Sequence, residues 1–238
     1  MTQASVRENL SRIQERIALA AKRSGRSAEE ITLIGVSKTY PADAIREAFE
    51  AGVRHFGENR VQEWEGKRAG TEGLAAAWHL IGHLQSNKAA RAAKLFHSVD
   101  SVDDVVLALR LDRARAEAGI TGKLRVPIEV RVAAEETKSG VGIARLPALA
   151  EEAAELPKLE LAGLMCIPPF LENAESVRPY FRRLRELRDD LTKRLGLALP
   201  VLSMGMSHDY EVAIEEGATE IRVGTALFGQ RGTQIAGH

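Results

Sequence analysis

Lys38 lies just after a run of apolar residues of the kind that is usually buried, and its amine is the first group in the sequence that suggests a chemical role. The run 31–36 is rich in β-branched and aliphatic residues, and Ser37-Lys-Thr ends it. Burial at the end of a strand removes water from an amine and favours its neutral form, which is a nucleophile that forms an imine with a carbonyl group. The alternative is a lysine at the rim of the fold that forms a salt bridge. Position alone supports both readings about equally.

Two short glycine-containing segments near the end of the sequence are suited to holding a phosphate group. Gly205-Met-Ser follows the run 201–204, and Gly224-Thr follows the run 220–223. Small residues leave backbone N–H groups accessible to an anion, and the hydroxyls of both segments add further donors. Ordinary turn chemistry explains either glycine alone. The two segments together with Lys38 favour a phosphorylated ligand.

Other polar residues have a structural reading beside the functional one. Asn59 either caps the helix that follows it or faces a ligand, and capping is favoured on sequence alone. His79 and His83 suggest a metal, but no clustered carboxylate or thiolate completes a site, so no metal is expected. Cys166 is interpreted as a small buried apolar residue rather than a nucleophile.

A repeated unit of strand and helix must position these residues. In each unit a short β-branched run is followed by a polar turn and an amphipathic helical stretch. The predicted strands are 31–36, 53–56, 78–81, 96–99, 126–132, 159–165, 201–204 and 220–223. The predicted helices lie at about 4–24, 41–52, 59–68, 87–95, 101–118, 146–155, 174–195 and 208–216. Ser101 with Asp104 predicts the start of the fifth helix.

Eight such units in a chain of this length predict one closed α/β barrel, a (β/α)₈ TIM barrel with an extra N-terminal helix. An open doubly wound sheet is the rival, and it accounts less naturally for eight strands. No linker-like stretch divides the sequence, so residues 1–238 are expected to form a single domain. The active site of such a barrel lies at the C-terminal ends of its strands, which is where the candidate residues stand.

Composition narrows the classes of function. The 238 residues are 45% hydrophobic, and 33 basic residues balance 33 acidic ones, so the formal net charge is zero. No overall field attracts nucleic acid or an anionic membrane. The single cysteine excludes an intrachain disulfide and a zinc site built on cysteines. With neither an apolar signal core nor a run long enough to span a bilayer, a cytoplasmic protein is expected.

Six ordered motifs resemble those of one family over nearly the whole sequence. They are Val36-Ser-Lys-Thr, His55-Phe-Gly-Glu-Asn, Trp78-His-Leu-Ile-Gly-His-Leu-Gln-Ser-Asn-Lys, Thr137-Lys-Ser-Gly, Ser203-Met-Gly-Met-Ser and Arg222-Val-Gly-Thr-Ala-Leu-Phe-Gly. By these motifs the sequence resembles the pyridoxal phosphate homeostasis protein family, which is related to the N-terminal barrel of alanine racemase. The resemblance implies the same barrel and pyridoxal 5′-phosphate (PLP) as cofactor.

The resemblance also implies roles for individual residues. Lys38 is expected to carry PLP as an internal aldimine. Apart from the resemblance, Lys138 is a secondary, transient candidate for that linkage, because a loop after the fifth strand can present it near the pocket. The other implied residues surround the cofactor: Ser207, Gly224 and Thr225 at the phosphate, Met206 through its backbone, Asn59 and Ser203 in the pocket, and Arg222 at the pyridine nitrogen. The family usually has an asparagine where this sequence has Arg131, which weakens any inference about the wall formed by the fifth strand.

The chemistry of Arg222 favours a carrier over an enzyme. Arginine stays charged in proteins, so Arg222 can donate a hydrogen bond to the pyridine nitrogen but cannot supply the proton that makes the ring a strong electron sink. A racemase of the related type also takes a second base from another domain, which this sequence is not expected to contain. The sequence therefore predicts a protein that buffers PLP or delivers it to apo forms of PLP-dependent enzymes. Separately, a monomer is expected. A PLP-dependent amino-acid racemase and a sugar-phosphate enzyme with a transient imine at Lys38 are the alternatives.

Overall fold

Parallel strands close into a barrel within the computed structural model, which describes residues 4–133 and 139–229. The strands are Thr32–Val36 (β1), His55–Glu58 (β2), Ala77–Leu80 (β3), Ser98–Val99 (β4), Leu124–Arg131 (β5), Val141–Gly142 (β6), Leu159–Met165 (β7), Val201–Met206 (β8) and Glu220–Val223 (β9). Their order is β4-β3-β2-β1-β9-β8-β7-β5, and pairing of β4 with β5 closes the ring. The two-residue β6 pairs with the end of β5 outside the ring. The predicted (β/α)₈ barrel is confirmed, and closure excludes the open doubly wound sheet.

Helices follow the strands around the outside of the barrel. They are Val6–Arg23 (α1), Ala42–Ala51 (α2), Val61–Lys67 (α3), Ala89–Leu95 (α4), Val105–Glu117 (α5), Leu146–Glu155 (α6), Arg178–Leu195 (α7), Tyr210–Glu215 (α8) and Thr225–Phe228 (α9). The extra N-terminal helix is α1, which Ser5 and Glu8 begin with a reciprocal capping box. Its apolar stripe is buried, and the helix packs against α8, α9 and α2, which fixes it to the fold. No helix in these described segments is both long and apolar enough to cross a membrane.

Several predicted boundaries differ from the structure by two residues or more, and at two of them a hydrogen bond gives the physical reason. The fifth helix begins at Val105, where Asp104 is the N-cap and accepts a 2.7 Å hydrogen bond from the Leu107 N–H. Ser101 is buried and donates its hydroxyl to the Gly82 carbonyl at 2.7 Å. The second strand starts at His55 rather than at Val53, because the Val53 N–H donates to the Ala48 carbonyl near the end of α2.

A polar layer fills the barrel at the N-terminal ends of the strands, opposite to the end that carries Lys38. His79 Nδ1 lies 3.2 Å from Asp100 Oδ2, and His79 Nε2 lies 3.0 Å from a ring nitrogen of His55. Arg125 donates to Glu220 Oε1 at 2.5 Å. Possible metal-ligand atoms of His79, Asp100 and Glu220 lie within 4.8 Å of one another, so the expectation that no carboxylate clusters with the histidines is wrong for His79. The exposed His83 does not join them, so the pair of histidines suggested by sequence does not form.

Candidate functional site

A cavity of about 430 Å³ opens at the C-terminal ends of the strands. Its lining comes from the segments after β1, β2, β3, β7, β8 and β9 and from β5. Seven of the eight residues implied by the resemblance line this one cavity: Lys38, Asn59, Met206, Ser207, Arg222, Gly224 and Thr225. The structure therefore brings together residues that are up to 187 positions apart in the chain.

Lys38 occupies the second position of a tight turn that ends β1. The turn runs from Ser37 to Tyr40, whose N–H donates to the Ser37 carbonyl at 3.1 Å. Thr39, the third residue, has φ of +66°. The left-handed region costs a β-branched residue about 1–3 kcal/mol, so surrounding contacts must hold this turn.

Those contacts come from the end of β2 and from α3. The Lys67 ammonium donates to the Ser37 carbonyl at 2.8 Å and also reaches the carboxylates of Glu58 and Glu63. The Glu63 carboxylate accepts the Thr39 N–H. Burial tends to raise the pKa of the Glu63 carboxyl, but the bonds from Lys67 and Thr39 outweigh it and the pKa is lowered. Burial raises the pKa of Glu58 despite the opposing effect of Lys67.

The loops after β8 and β9 meet at the cavity. The Ser207 hydroxyl accepts from the Ala226 N–H at 3.5 Å, which joins the two glycine-containing segments. The Met206 N–H donates to Asp209 Oδ1 at 2.6 Å, so that N–H is already used within the loop. Gly205 has φ of +92°, and a Cβ there would lie 2.9 Å from the Tyr210 Cα. Only glycine fits this position, where the β8–β9 register shifts and the chain turns toward the mouth.

Arg222 is held in one orientation in the wall of the cavity. One terminal nitrogen donates to Ser203 Oγ and the other to the Cys166 carbonyl, both at 2.8 Å. Ser203 is fully buried and is absent from the cavity lining, so it contacts Arg222 rather than the open space. Cys166 is also fully buried, and burial raises the pKa of its thiol to about 12. The reading of Cys166 as a buried apolar residue is confirmed.

Asn59 lines the cavity and does not cap α3. The N-cap of α3 is Arg60, which makes no side-chain capping bond. The loop after β3 packs on the backbone of Asn59, where a Cβ on Gly82 would lie 2.4 Å from the Asn59 carbonyl oxygen. The capping role favoured by sequence is therefore wrong, and Gly82 fixes Asn59 at the mouth.

Glu129 is a cavity residue that the sequence reading missed. It lies on β5, is 4% exposed, and its pKa is raised to about 7. Burial is the main cause, the Asp103 charge adds to it, and Arg222 opposes it. The available signal was a single acidic residue within the apolar run 126–130, since an unpaired carboxylate in a buried strand is costly. Arg131 ends β5 next to Gly142, and Lys138 lies outside the described residues.

The rim of the cavity is apolar and open. Ile167 and Phe170, in the segment after β7, line the cavity while remaining 43% and 76% exposed. The Phe170 ring lies against His208, with ring centroids 5.4 Å apart. A His208 ring nitrogen lies 3.0 Å from the Glu172 carbonyl, which ties the loop after β8 to the segment after β7.

A closed parallel barrel with a lysine after its first strand and hydroxyl-bearing loops after its last two is the architecture of the alanine racemase N-terminal domain class. The family model with that description, Alanine racemase, N-terminal domain, matches residues 8–232. A pyridoxal phosphate homeostasis protein of Aquifex aeolicus is 49% identical over 224 residues, covering 94% of this chain and 97% of the relative. One of Pseudomonas aeruginosa is 47% identical over 228 residues, covering 96% of each. The chain belongs to the pyridoxal phosphate homeostasis protein family.

Solved structures show the same relationship. PipY of Synechococcus elongatus with PLP bound has a TM-score of 0.80 and 43% identity, covering 91% of this chain and all of that one. An alanine racemase of Clostridium difficile in complex with cycloserine has a TM-score of 0.71 at 16% identity, covering 97% of this chain and 60% of the racemase. The likeness to the racemase therefore concerns the fold alone.

Proposed function

We propose that this protein binds PLP reversibly at Lys38 and buffers the cofactor or delivers it to apo forms of PLP-dependent enzymes, as a carrier and not as a catalyst. The observation that carries the proposal is that Lys38 and both glycine-containing loops line one cavity at the barrel mouth. The relatives that are 38–49% identical are named for pyridoxal phosphate homeostasis. The racemase alternative has support only from the shared fold at low identity.

The chemistry of the cavity fits PLP. A volume of about 430 Å³ suits a small cofactor. The Lys38 amine matches the PLP aldehyde, and the hydroxyls of Ser207 and Thr225 match its phosphate. The fixed guanidinium of Arg222 matches the acceptor nitrogen of the ring. When bound, PLP supplies an aldehyde that can be linked to one amine and exchanged to another. The chain's own residues therefore have to anchor, orient and expose it.

We assign each of the eight residues a role that its position at or next to the cavity supports. Lys38 provides the amine, and Arg222 donates to the pyridine nitrogen without being able to protonate it. The phosphate is assigned to the hydroxyls of Ser207 and Thr225 and to the backbone at Gly224. The remaining three support these groups: Met206 through the loop backbone that Asp209 fixes, Ser203 by orienting Arg222, and Asn59 as part of the wall.

The open rim supports exchange with outside amines. Because Ile167 and Phe170 line the cavity and stay exposed, solvent and amines reach its edge. An enzyme that must exclude water gains from closure, whereas a carrier needs access for the receiving amine.

Borohydride reduction followed by peptide mapping tests the assignment. Reduction of the PLP-loaded protein is expected to fix the cofactor on Lys38, and Lys38→Ala is expected to lose that product and the absorbance of the linked form. Reduced cofactor on Lys88 or Lys138 instead would contradict the assignment.

Delivery is tested by mixing loaded protein with an apo-aminotransferase. Activity is expected to return faster than PLP is released into a solution that scavenges it. Recovery that only follows the release rate would refute direct delivery and leave buffering, and catalytic consumption of an amino acid would refute the carrier role. The single domain over 1–238, the monomeric state and the cytoplasmic location remain predictions; light scattering of the loaded protein tests the monomer.

A further inference from the structure

The geometry points to Lys67 as a positioning residue that, with Glu58 and Glu63, holds the Ser37–Tyr40 turn so that the Lys38 amine faces the cofactor cavity. We name Lys67, Glu58 and Glu63 the Lys67 clamp. None of the three is among the residues that line the cavity, so the clamp acts through Lys38 and not on the cofactor. The inference rests on the proposed function, because it concerns how the PLP-binding amine is placed.

The clamp is a compact and mostly buried group of charges. Lys67 Nζ lies 2.9 Å and 3.1 Å from the two oxygens of Glu58 and 2.8 Å from Glu63 Oε1. The side chains of Lys67 and Glu58 are 12% and 0% exposed. Charge-assisted bonds with so little access to water are strong, and each depends on the others for charge compensation.

Three links join the clamp to the Lys38 turn. Lys67 donates to the Ser37 carbonyl, which also accepts the Tyr40 N–H that closes the turn. The Ser37 hydroxyl donates to Glu58 Oε1 at 2.7 Å. On the other side of Lys38, the Thr39 N–H donates to Glu63. The residues before and after Lys38 are thus both bonded to the clamp.

The conformation of Thr39 shows what the clamp holds in place. A positive φ at a β-branched residue is disfavoured in an unconstrained turn. Without the bonds to Ser37 and Thr39 the turn would relax to other conformations, in which the Lys38 side chain would point in other directions. The clamp keeps the turn in the conformation in which Lys38 lines the cavity.

The covalent step depends on this direction. Lys38 Nζ adds to an aldehyde carbon, and the carbonyl oxygen leaves as water, so that a C=N double bond replaces C=O and no oxidant is needed. The proposed phosphate loops follow β8 and β9. Although β9 pairs with β1, the Lys67 clamp makes no hydrogen bond to the described residues of either loop, so the loops anchor a ligand without direct help from the clamp. Loss of the clamp should therefore slow covalent linkage while leaving anchoring intact.

The test compares Lys67→Met with Arg91→Met in the full-length protein. Arg91 of α4 donates at 2.8 Å to Glu65 of α3, the helix that carries Lys67, and makes no hydrogen bond to the Ser37–Tyr40 turn. Two quantities are measured: the rate of covalent PLP linkage by stopped-flow absorbance, and the Kd of pyridoxine 5′-phosphate, which has the ring and phosphate but no aldehyde. Lys67→Met is expected to slow linkage at least tenfold and to change that Kd less than twofold, whereas Arg91→Met changes neither.

A suppressor separates positioning from general stability. Thr39→Gly accepts the positive φ, so in combination with Lys67→Met it is expected to recover most of the lost rate, and Lys67→Arg is expected to retain more of the rate than Lys67→Met. Should Lys67→Met fail to fold, Glu63→Leu tests the Thr39 link with the Glu58–Lys67 pair in place, and slower linkage at an unchanged Kd is again expected. Equal loss of linkage and pyridoxine 5′-phosphate binding, or no loss at all, overturns the inference. Wild-type protein that never links PLP to Lys38 overturns the proposed function instead.

Discussion

Arg222 donates a 2.8 Å hydrogen bond to the hydroxyl of Ser203, which lies on the neighbouring strand β8 and is fully buried. The Arg222 side chain reaches the cofactor cavity and Ser203 does not. Ser203 therefore acts on the site indirectly, by orienting the Arg222 guanidinium. A second hydrogen bond, to the Cys166 carbonyl, holds the same guanidinium.

Ser203→Ala is expected to lower the free energy of unfolding by about 1.5–3 kcal/mol, since it leaves a buried charged donor without its acceptor. Covalent linkage at Lys38 should persist, because Lys38 lies in the turn after β1 and does not contact Ser203. Urea denaturation of the cofactor-free protein measures the loss. The control is Ser176→Ala at an exposed serine, which should change stability little. Equal stability of the two variants would mean that the Arg222–Ser203 bond contributes nothing.

Thr225→Val is expected to weaken PLP binding by about 1.5–3 kcal/mol, or roughly 10- to 150-fold in Kd, because it removes a hydroxyl donor to a charged group and keeps the shape. The affinity for pyridoxal, which lacks the phosphate, should not change. Thr192→Val is the matched control, since the Thr192 hydroxyl is buried without a hydrogen-bond partner among the described residues. Equal losses for PLP and pyridoxal would place the phosphate elsewhere.

Glu129→Gln is expected to stabilise the cofactor-free protein at pH 8 and to have little effect at pH 4.5. The pKa of Glu129 is raised in the folded protein to about 7 from 4.5. The folded state therefore holds the proton more tightly, and stability is lost as pH rises from about 4.5 through 7. At 1.36 kcal/mol for each pH unit, the amide should recover up to about 3 kcal/mol at pH 8.

Denaturation curves at several pH values measure this difference. Glu160→Gln, at an exposed position on β7, is the control and should give a difference that does not vary with pH. A Glu129→Gln protein whose stability follows the wild-type pH dependence would show that Glu129 ionises normally.

The fold was predictable because local pattern and global topology agree. Each apolar run became a strand, and the lead helix, the β7 run and the β9 run have nearly the predicted bounds. At two of the boundaries that differ from the prediction, a single hydrogen bond decides where the element begins. Ser101 fits a cap by spacing, but its hydroxyl bonds to Gly82, and only the folded chain brings those two residues together.

The sequence predicted those site residues that belong to a recognisable motif or follow directly after a strand. Lys38 and Thr225 both follow strands, so the barrel places them at the same mouth. Lys67 gave no such signal, because the sequence predicts that a lysine on an amphipathic helix is solvent-exposed. Only the fold shows that α3 brings Lys67 to the Ser37–Tyr40 turn. Ser203 was assigned to the pocket, yet its side chain contacts Arg222; whether a strand residue touches the ligand or its neighbour depends on the bulge at Gly205.

The last prediction concerns the polar layer at the N-terminal ends of the strands, where Asp100→Asn is expected to destabilise the protein by about 3 kcal/mol, since it removes one partner of a buried charge pair. Burial would lower the pKa of His79, but Asp100 outweighs it and the pKa is raised above 6.5. Burial would raise the pKa of Asp100, but His79 and Ser98 outweigh it and the pKa falls below 3.8. The histidine contribution is lost as pH rises through its folded pKa, and the aspartate contribution is lost as pH falls through its own. The loss of stability in Asp100→Asn should therefore be largest between about pH 4 and 6.5 and smaller on both sides. Urea denaturation at several pH values measures it. Asp190→Asn, at an exposed aspartate on α7, is the control. A cost that stays constant from pH 3 to 9 would show that the two residues pack as neutral groups.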